Sequence, residues 1–185
     1  MPQAPSLKPH VPEEIFDVVD EQDRVIGQAP RSVVHARRLL HRAVHVFVFD
    51  SRGALLLQLR SATKDEYPLC YTSSASGHLA AGESYDQAAP RELEEELGLS
   101  GCALDRLHKF PAGPETSMEH TVLYRTVADR RLRIDRNEIA AAEFRTLDEI
   151  AALLAREPEK FSPCFVTLLT WYREEFSGSE FRVSD

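Results

Sequence analysis

The chain predicts an α+β sandwich. Strand-like segments come first, one helix stands in the middle and two helices close the chain, without the regular alternation of strand and helix that a parallel βαβ fold requires. At 185 residues the chain can bury a real core but is too short for two comfortable ones, so a single domain over residues 13–185 is expected.

Residues 1–12 are rich in proline and lack a basic region followed by an apolar stretch, which predicts a disordered arm and no secretory signal. Residues 15–19 and 25–28 flank the turn-forming Asp20-Glu21-Gln22-Asp23 and predict a first hairpin. Residues 42–49 and 54–59 flank the turn Asp50-Ser51-Arg52-Gly53 and predict a second hairpin. Its nearly continuous apolar strands should sit centrally, covered on both faces. Residues 61–69 are polar and contain Pro68, as a loop would, and lead into a short strand over residues 70–73. Residues 84–97 have helical composition and stop at Gly98, a good C-terminal cap. Ser84 and Gln87 would form a capping box that starts this helix at Tyr85. Pro90 then falls inside it, so either the helix kinks there or its regular part begins near Pro90. Strands are expected over residues 103–110, 120–127 and 143–146. Helices are expected over residues 147–156 and 163–176, the second with Phe165, Leu168, Leu169 and Tyr172 on one stripe. No internal repeat or low-complexity segment interrupts this order.

A formal net charge of −8 argues against a surface that holds nucleic acid by neutralising phosphates, leaving a small molecule as the expected partner. The longest apolar runs, residues 44–49 and 54–57, are too short to cross a bilayer, so no membrane partner is expected. Cys70, Cys102 and Cys164 lie far apart, lack the paired spacing of a zinc site and would leave an odd thiol if two bridged, which fits a reducing cytoplasm.

The most informative stretch is GHLAAGESYDQAAPRELEEELGL, residues 77–99. If residues 91–97 are helical, Glu92, Glu95 and Glu96 stand at i, i+3 and i+4, sharing one face with Cβ atoms roughly 5 to 6 Å apart. A solvated acidic face is the usual fate of a glutamate run, but it accounts for neither Glu83 nor the two glycines. A divalent cation would convert the repulsion of three carboxylates into binding, and hard oxygen ligands suit Mg²⁺, or Mn²⁺ in its place. Such an ion could coordinate diphosphate oxygens, neutralise charge developing on phosphorus and acidify a water into a nucleophile.

This stretch resembles the box of the Nudix hydrolase (MutT-like) superfamily, G-x5-E-x7-R-E-U-x-E-E-x-G-U with U a bulky aliphatic, at every fixed place: Gly77, Glu83, Arg91, Glu92, Leu93, Glu95, Glu96, Gly98 and Leu99. Seven fixed identities at fixed spacing arise by chance at roughly one in a billion starting points. The resemblance implies the Nudix fold, an α/β/α sandwich with a mixed β-sheet between helices. It implies a Mg²⁺-dependent pyrophosphohydrolase that cleaves the diphosphate linkage of a nucleoside diphosphate derivative, or of a related organic diphosphate, by water attack on phosphorus. Glu92, Glu95 and Glu96 would supply metal ligands and the water-activating base, Glu83 would assist and Gly77 would contribute its carbonyl. For Arg91 a salt bridge that holds a box glutamate in its rotamer is expected. Glu94 should point away, to the surface.

The flanks are similar to one branch of that superfamily, the isopentenyl diphosphate isomerase-like Nudix proteins, over roughly residues 14–175. The similarity rests on an opening hairpin, a His-containing segment before the first long strand, a basic loop ending in aromatic-Pro, the Ser-Gly-His that leads into the box, and a late Phe-Ser-Pro. Three departures set this chain apart. Ser76 stands where the isomerases carry a catalytic cysteine, Cys164 replaces a tryptophan, and the box glutamates are complete where the isomerase box is degenerate. A hydroxyl replaces a thiol poorly in alkene protonation, and loss of the aromatic removes a π-face that would steady a carbocation. Isomerase-like activity is thus the first rival to hydrolysis, and a non-catalytic diphosphate-binding module, disfavoured by the complete glutamate set, is the second.

The same resemblance places Arg60 and Lys64 where the isomerases grip a diphosphate, although two ordinary surface cations would look the same. His41, His78 and Glu119 fall near isomerase metal-ligand positions and imply a second metal site, with Glu119 an extra Mg²⁺ ligand or base outside the box. His35, His45, His108 and His120 are expected as core or surface histidines with satisfied hydrogen bonds. Tyr67, Tyr71, Phe110 and Trp171 could stack a base, with ordinary core the commoner role. A homodimer would suit the family.

Overall fold

A computed structural model describes residues 13–176. The expected arm at residues 1–12, and residues 177–185 of the expected domain, lie outside the described residues.

The first hairpin forms as expected. Strand β1 (Ile15–Val19) pairs antiparallel with β2 (Val25–Pro30). In its turn, Asp20 accepts from the N–H groups of Gln22 and Arg24 at 3.0 and 2.9 Å, and Asp23 takes a left-handed φ of 62°, a conformation that aspartate tolerates. Next comes α1 (Arg31–Arg37), a helix the sequence did not announce: it has no side-chain cap at Pro30, and Val34 is its one buried residue.

Strand β3 (His41–Phe49) is central, and it forms the expected second hairpin only next to the turn, where the Asp50 N–H donates to the Ala54 carbonyl at 2.9 Å. It shares a single rung, Phe49 with Leu55, with β4 (Leu55–Arg60), and the two then diverge. The gap is filled by the next stretch of chain: β5 (Tyr71–Thr72) pairs along β4, and β6 (Ala75–His78) pairs antiparallel along β3. On its other edge β3 runs parallel to β8 (Glu119–Val127) over its whole length, and β8 carries β7 (Asp105–Phe110). Strand β9 (Ile139–Arg145), longer than expected, pairs with β4. The four-residue turn fixes only its own first rung, and an apolar run that suits burial on both faces does not say which strand lies beside it.

Strand β3 is apolar from Val46 to Phe49 because both of its faces are covered there. Val44, Val46 and Val48 pack with Leu93 and Leu97 of α2 (Tyr85–Leu97), while Phe47 and Phe49 pack with Phe165, Leu168 and Tyr172 of α4 (Pro163–Glu175) and with Ile150 of α3 (Leu147–Arg156). The result is the expected α/β/α sandwich around a mixed sheet. Helix α2 starts at Tyr85, with the Ser84 N–H donating to Gln87 Oε1 at 3.0 Å, and ends on Gly98 at φ 67°. Pro90 lies inside it, on the exposed side, so the alternative of a start near Pro90 is not taken.

Candidate active site

Strand β6 divides the site. Alternation turns Gly77 toward α2 and Ser76 and His78 toward the opposite face of the sheet. A Cβ at Gly77 would stand 2.1 Å from the Glu92 carboxyl carbon, so only glycine leaves room for that carboxylate. Glu92 and Glu96 are buried on the inner face of α2, whereas the Glu95 side chain is 60% exposed and Glu94 lies at the surface. Arg91 gathers the group. It donates to both oxygens of Glu83 at 2.8 Å, to Glu92 Oε1 at 2.6 Å, to Glu95 Oε2 at 3.1 Å and to the His78 carbonyl at 3.0 Å. The expected salt bridge is therefore a clamp on three box carboxylates.

Burial drives the pKa of Glu92 up to about 7 against the pull of Arg91, and it raises Glu96 as well, with the Glu92 charge adding to the effect. Glu83 goes the other way: burial opposes its charge, but the hydrogen bonds from Arg91 and the Ala80 N–H outweigh that and lower its pKa. Glu96 also accepts from Gln58 Nε2 at 3.3 Å and the Ser76 N–H at 3.4 Å.

The other side of β6 opens on a cleft lined by Arg60, Lys64, Tyr67, Ser76, His78 and Glu119. Glu119 begins β8 in register with His41. Its Oε1 lies 3.0 Å from His78 Nε2 and 3.5 Å from His41 Nε2. Burial alone would raise the Glu119 pKa, but the two imidazoles hold it far below the carboxylate range. Around His41 burial opposes the positive charge and Glu119 overcomes it, so the His41 pKa is raised. Beyond that 3.5 Å contact with Glu119, His41 Nε2 is buried without a hydrogen-bond partner, and His35 Nε2 is buried with none. The ring nitrogens of His35, His41 and His78 lie within 4.8 Å of one another.

The chain matches the NUDIX domain model over residues 39–165. It belongs to the Nudix family. Among its relatives is an uncharacterized Nudix hydrolase of Streptomyces coelicolor, 52% identical over 48% of this chain and 49% of the relative, so that match spans about half the relative's length. The isopentenyl-diphosphate Delta-isomerase 2 of Photorhabdus laumondii is 30% identical over 92% of this chain and 94% of its own. The crystal structure of DR0079 from Deinococcus radiodurans matches with a TM-score of 0.76 at 26% identity, covering 85% of this chain and 98% of that one. Hydrolase-named and isomerase-named relatives thus both surround this Nudix chain, as its flanks implied, and its expected enzyme class is that of the Nudix hydrolases, which act on diphosphate bonds.

Within this Nudix site, Glu83, Glu92, Glu95, Glu96 and Gly77 come together, while Glu119 stands across β6 with His41 and His78. Arg60 and Lys64 both reach the cleft. Arg60 donates to the Glu66 carbonyl, and Lys64 pairs with Glu138, so neither is a loose surface cation. Both Lys64 and Glu138 act on the charge of Glu96, linking the cleft to the box. Tyr67 is 37% exposed on the cleft rim and is not core, whereas Phe110 is buried and packs with Trp171, and Tyr71 packs with Phe161.

His45, His120 and His108 match expectation: the first two have bonded rings, and His108 is exposed and stacks on Trp171. His35 does not, because its buried Nε2 is unsatisfied and faces two other imidazoles. The sequence signal was the run of His35, His41 and His45 just before the box. Gln58 and Glu138 carried no signal, since strand pairing alone brings them to the box.

A divalent cation fits the box on two observations. The donors are carboxylate oxygens, and the space beside Glu92 is kept free of any side chain at Gly77. The buried Nε2 of His35, which has no hydrogen-bond partner and faces two further imidazoles, is likewise what an imidazole awaiting an ion presents.

Proposed function

We propose that this protein hydrolyses the diphosphate linkage of a small organic diphosphate, a nucleoside diphosphate derivative or a related compound, using Mg²⁺ or Mn²⁺. The observation that carries the reading is the convergence of Glu83, Glu92 and Glu95 under the clamp of Arg91, with Glu92 beside the side-chain-free position of Gly77 and Glu96 buried on the same helix. Glu92, Glu95, Glu96 and the Gly77 carbonyl would hold the cation. When bound, it supplies Lewis-acid stabilisation of charge developing on phosphorus.

The chain's own groups divide the remaining work. Glu83 acts through Arg91, fixing the guanidinium that in turn fixes the box rotamers. One of the box carboxylates takes the proton of the attacking water. Lys64 and Arg60 offer positive charge to the diphosphate from the cleft side, and the cleft accepts the organic group. Glu119, with His41 and His78, forms a second candidate cation position next to it. A free small molecule in a reducing cytoplasm is the expected substrate. No helix among the described residues is long and apolar enough to cross a membrane.

The test is a panel of nucleoside and isoprenoid diphosphates with Mg²⁺ or Mn²⁺, scoring monophosphate or phosphate release and, in parallel, double-bond migration. Hydrolysis is expected, with turnover falling about a hundredfold or more in Glu95→Gln and in Glu96→Gln. Turnover unchanged by both substitutions would sink the assigned chemistry. Double-bond migration without phosphate release would put the isomerase-like reading in its place.

A further inference from the structure

The α4 side of the cleft holds two side chains that the hydrolytic reading does not use, His45 and Cys164, beside the Glu119 that His41 and His78 also contact. His45 comes from β3 and Cys164 from the first turn of α4, 119 residues away, yet His45 Nε2 and Cys164 Sγ stand 3.5 Å apart. With a carboxylate oxygen of Glu119, their ligand atoms all lie within 4.8 Å of one another, and all three residues are buried. We propose that His45, Cys164 and Glu119 bind a thiophilic divalent ion of the Zn²⁺ or Co²⁺ type, at a site separate from the box.

Three features support this. In a tetrahedral zinc site, Zn–S near 2.3 Å and Zn–N near 2.0 to 2.1 Å put sulfur and nitrogen about 3.6 Å apart, and the observed separation is 3.5 Å. The other ring nitrogen, His45 Nδ1, is bonded to Ser73 Oγ at 2.8 Å, the kind of outer contact that orients a ligating imidazole. A thiolate, imidazole and carboxylate set prefers Zn²⁺ or Co²⁺ to Mg²⁺, whereas the box presents oxygen alone. The sheet therefore separates a hard site on the α2 side from a softer one on the α4 side, with Ser76 and Gly77 of β6 facing opposite ways between them.

The competing account is a thiol–imidazole hydrogen bond and nothing more. Without an ion that is the state of the pair: burial lowers the His45 pKa to about 4 and raises that of the Cys164 thiol, so both are neutral. Binding would release the thiol proton to solvent and leave a thiolate on the ion. With three protein ligands, a fourth position remains for an anionic oxygen from the cleft.

Cobalt distinguishes the two accounts. Titrating the reduced, metal-free full chain with Co²⁺ should produce a thiolate-to-cobalt charge-transfer band in the near ultraviolet that saturates at one equivalent. The band should persist in the Cys70→Ser, Cys102→Ser double variant and in Glu95→Gln, vanish in Cys164→Ser, yield to Zn²⁺ and resist excess Mg²⁺. In His45→Gln, Co²⁺ affinity should fall about tenfold or more, which keeps the test decisive if Cys164→Ser fails to fold. No thiolate band, a band that survives Cys164→Ser, or undiminished affinity in His45→Gln would overturn the proposal. Because Glu95→Gln impairs only the box, failure here is distinguishable from failure of the hydrolytic reading.

Discussion

At the scale of single residues, Gly77 shows how little of a site's reason lies in its motif. The box pattern marks the position, and the family resemblance assigns it a carbonyl ligand. The structure adds that a side chain there would occupy the place of the Glu92 carboxylate. Gly77→Ala is therefore expected to cut turnover about as severely as removing a box carboxylate. Gly77 pairs within β6 and is not at positive φ, so the fold should survive with a loss of about 1 to 3 kcal/mol from overpacking. Steady-state kinetics alongside a melting curve checks this, and full activity in a folded Gly77→Ala would remove the cradle argument. Glu83 and Arg91 were legible for the opposite reason: their contacts lie within one helix and its lead-in, where spacing translates into distance. His35 was not, because its partners His41 and His78 reach it through a helix and a strand that the sequence did not announce.

At the scale of elements, what was legible is what local chemistry decides. The first hairpin has its turn, and α2 has its capping box and its glycine stop. The fork between β3 and β4, the insertion of β6 and the parallel pairing of β3 with β8 depend on residues dozens of positions apart, and no local pattern encodes them. Phe16 and Val19 of the opening hairpin are buried, and one carboxylate ties its turn to three other elements. Asp23 accepts from Arg42 Nε of β3 at 2.5 Å and from Tyr85 Oη of α2 at 3.0 Å, and it pairs with Lys109 of β7.

Burial raises the Asp23 pKa, but Lys109, Arg42 and Tyr85 together outweigh it and bring the pKa below the ordinary 3.8. A carboxylate whose folded pKa is lowered contributes stability in full above its unfolded pKa, and that stability is lost as pH falls through the folded one. Asp23→Asn should therefore cost about 1 to 3 kcal/mol at neutral pH. Its stability should also fall less steeply than that of the parent below about pH 4. Urea midpoints measured from pH 7 down into the acid range check both. Parallel acid limbs for the two proteins would mean that Asp23 does not titrate with folding.

At the scale of the whole molecule, two cores share one sheet, and the division of chemistry follows the division of packing. The α2 face carries the box, and the α4 face carries the cleft with Cys164 and Ser162. Because β3 contributes Val46 to one core and Phe47 to the other, neither face can loosen without disturbing the strand that supports both. Phe165 tests this. It is fully buried, its ring centroid lying 6.0 Å from Phe161 and 5.8 Å from Phe47, and it follows Cys164 in the chain. Phe165→Ala should cost about 3 to 5 kcal/mol. For a chain of this size that lowers the melting midpoint on the order of 10 °C. If the two cores are one cooperative unit, tryptophan fluorescence, which reports on Trp171 in the α4 core, and far-ultraviolet dichroism, which reports on all elements, should fall together in a single transition. Below that transition, box-dependent hydrolysis per folded molecule should be retained, since Arg91 and its carboxylates touch none of the deleted atoms. An early fluorescence change with dichroism intact would show instead that the α4 face melts by itself, leaving the box helix on a sheet it does not need to share.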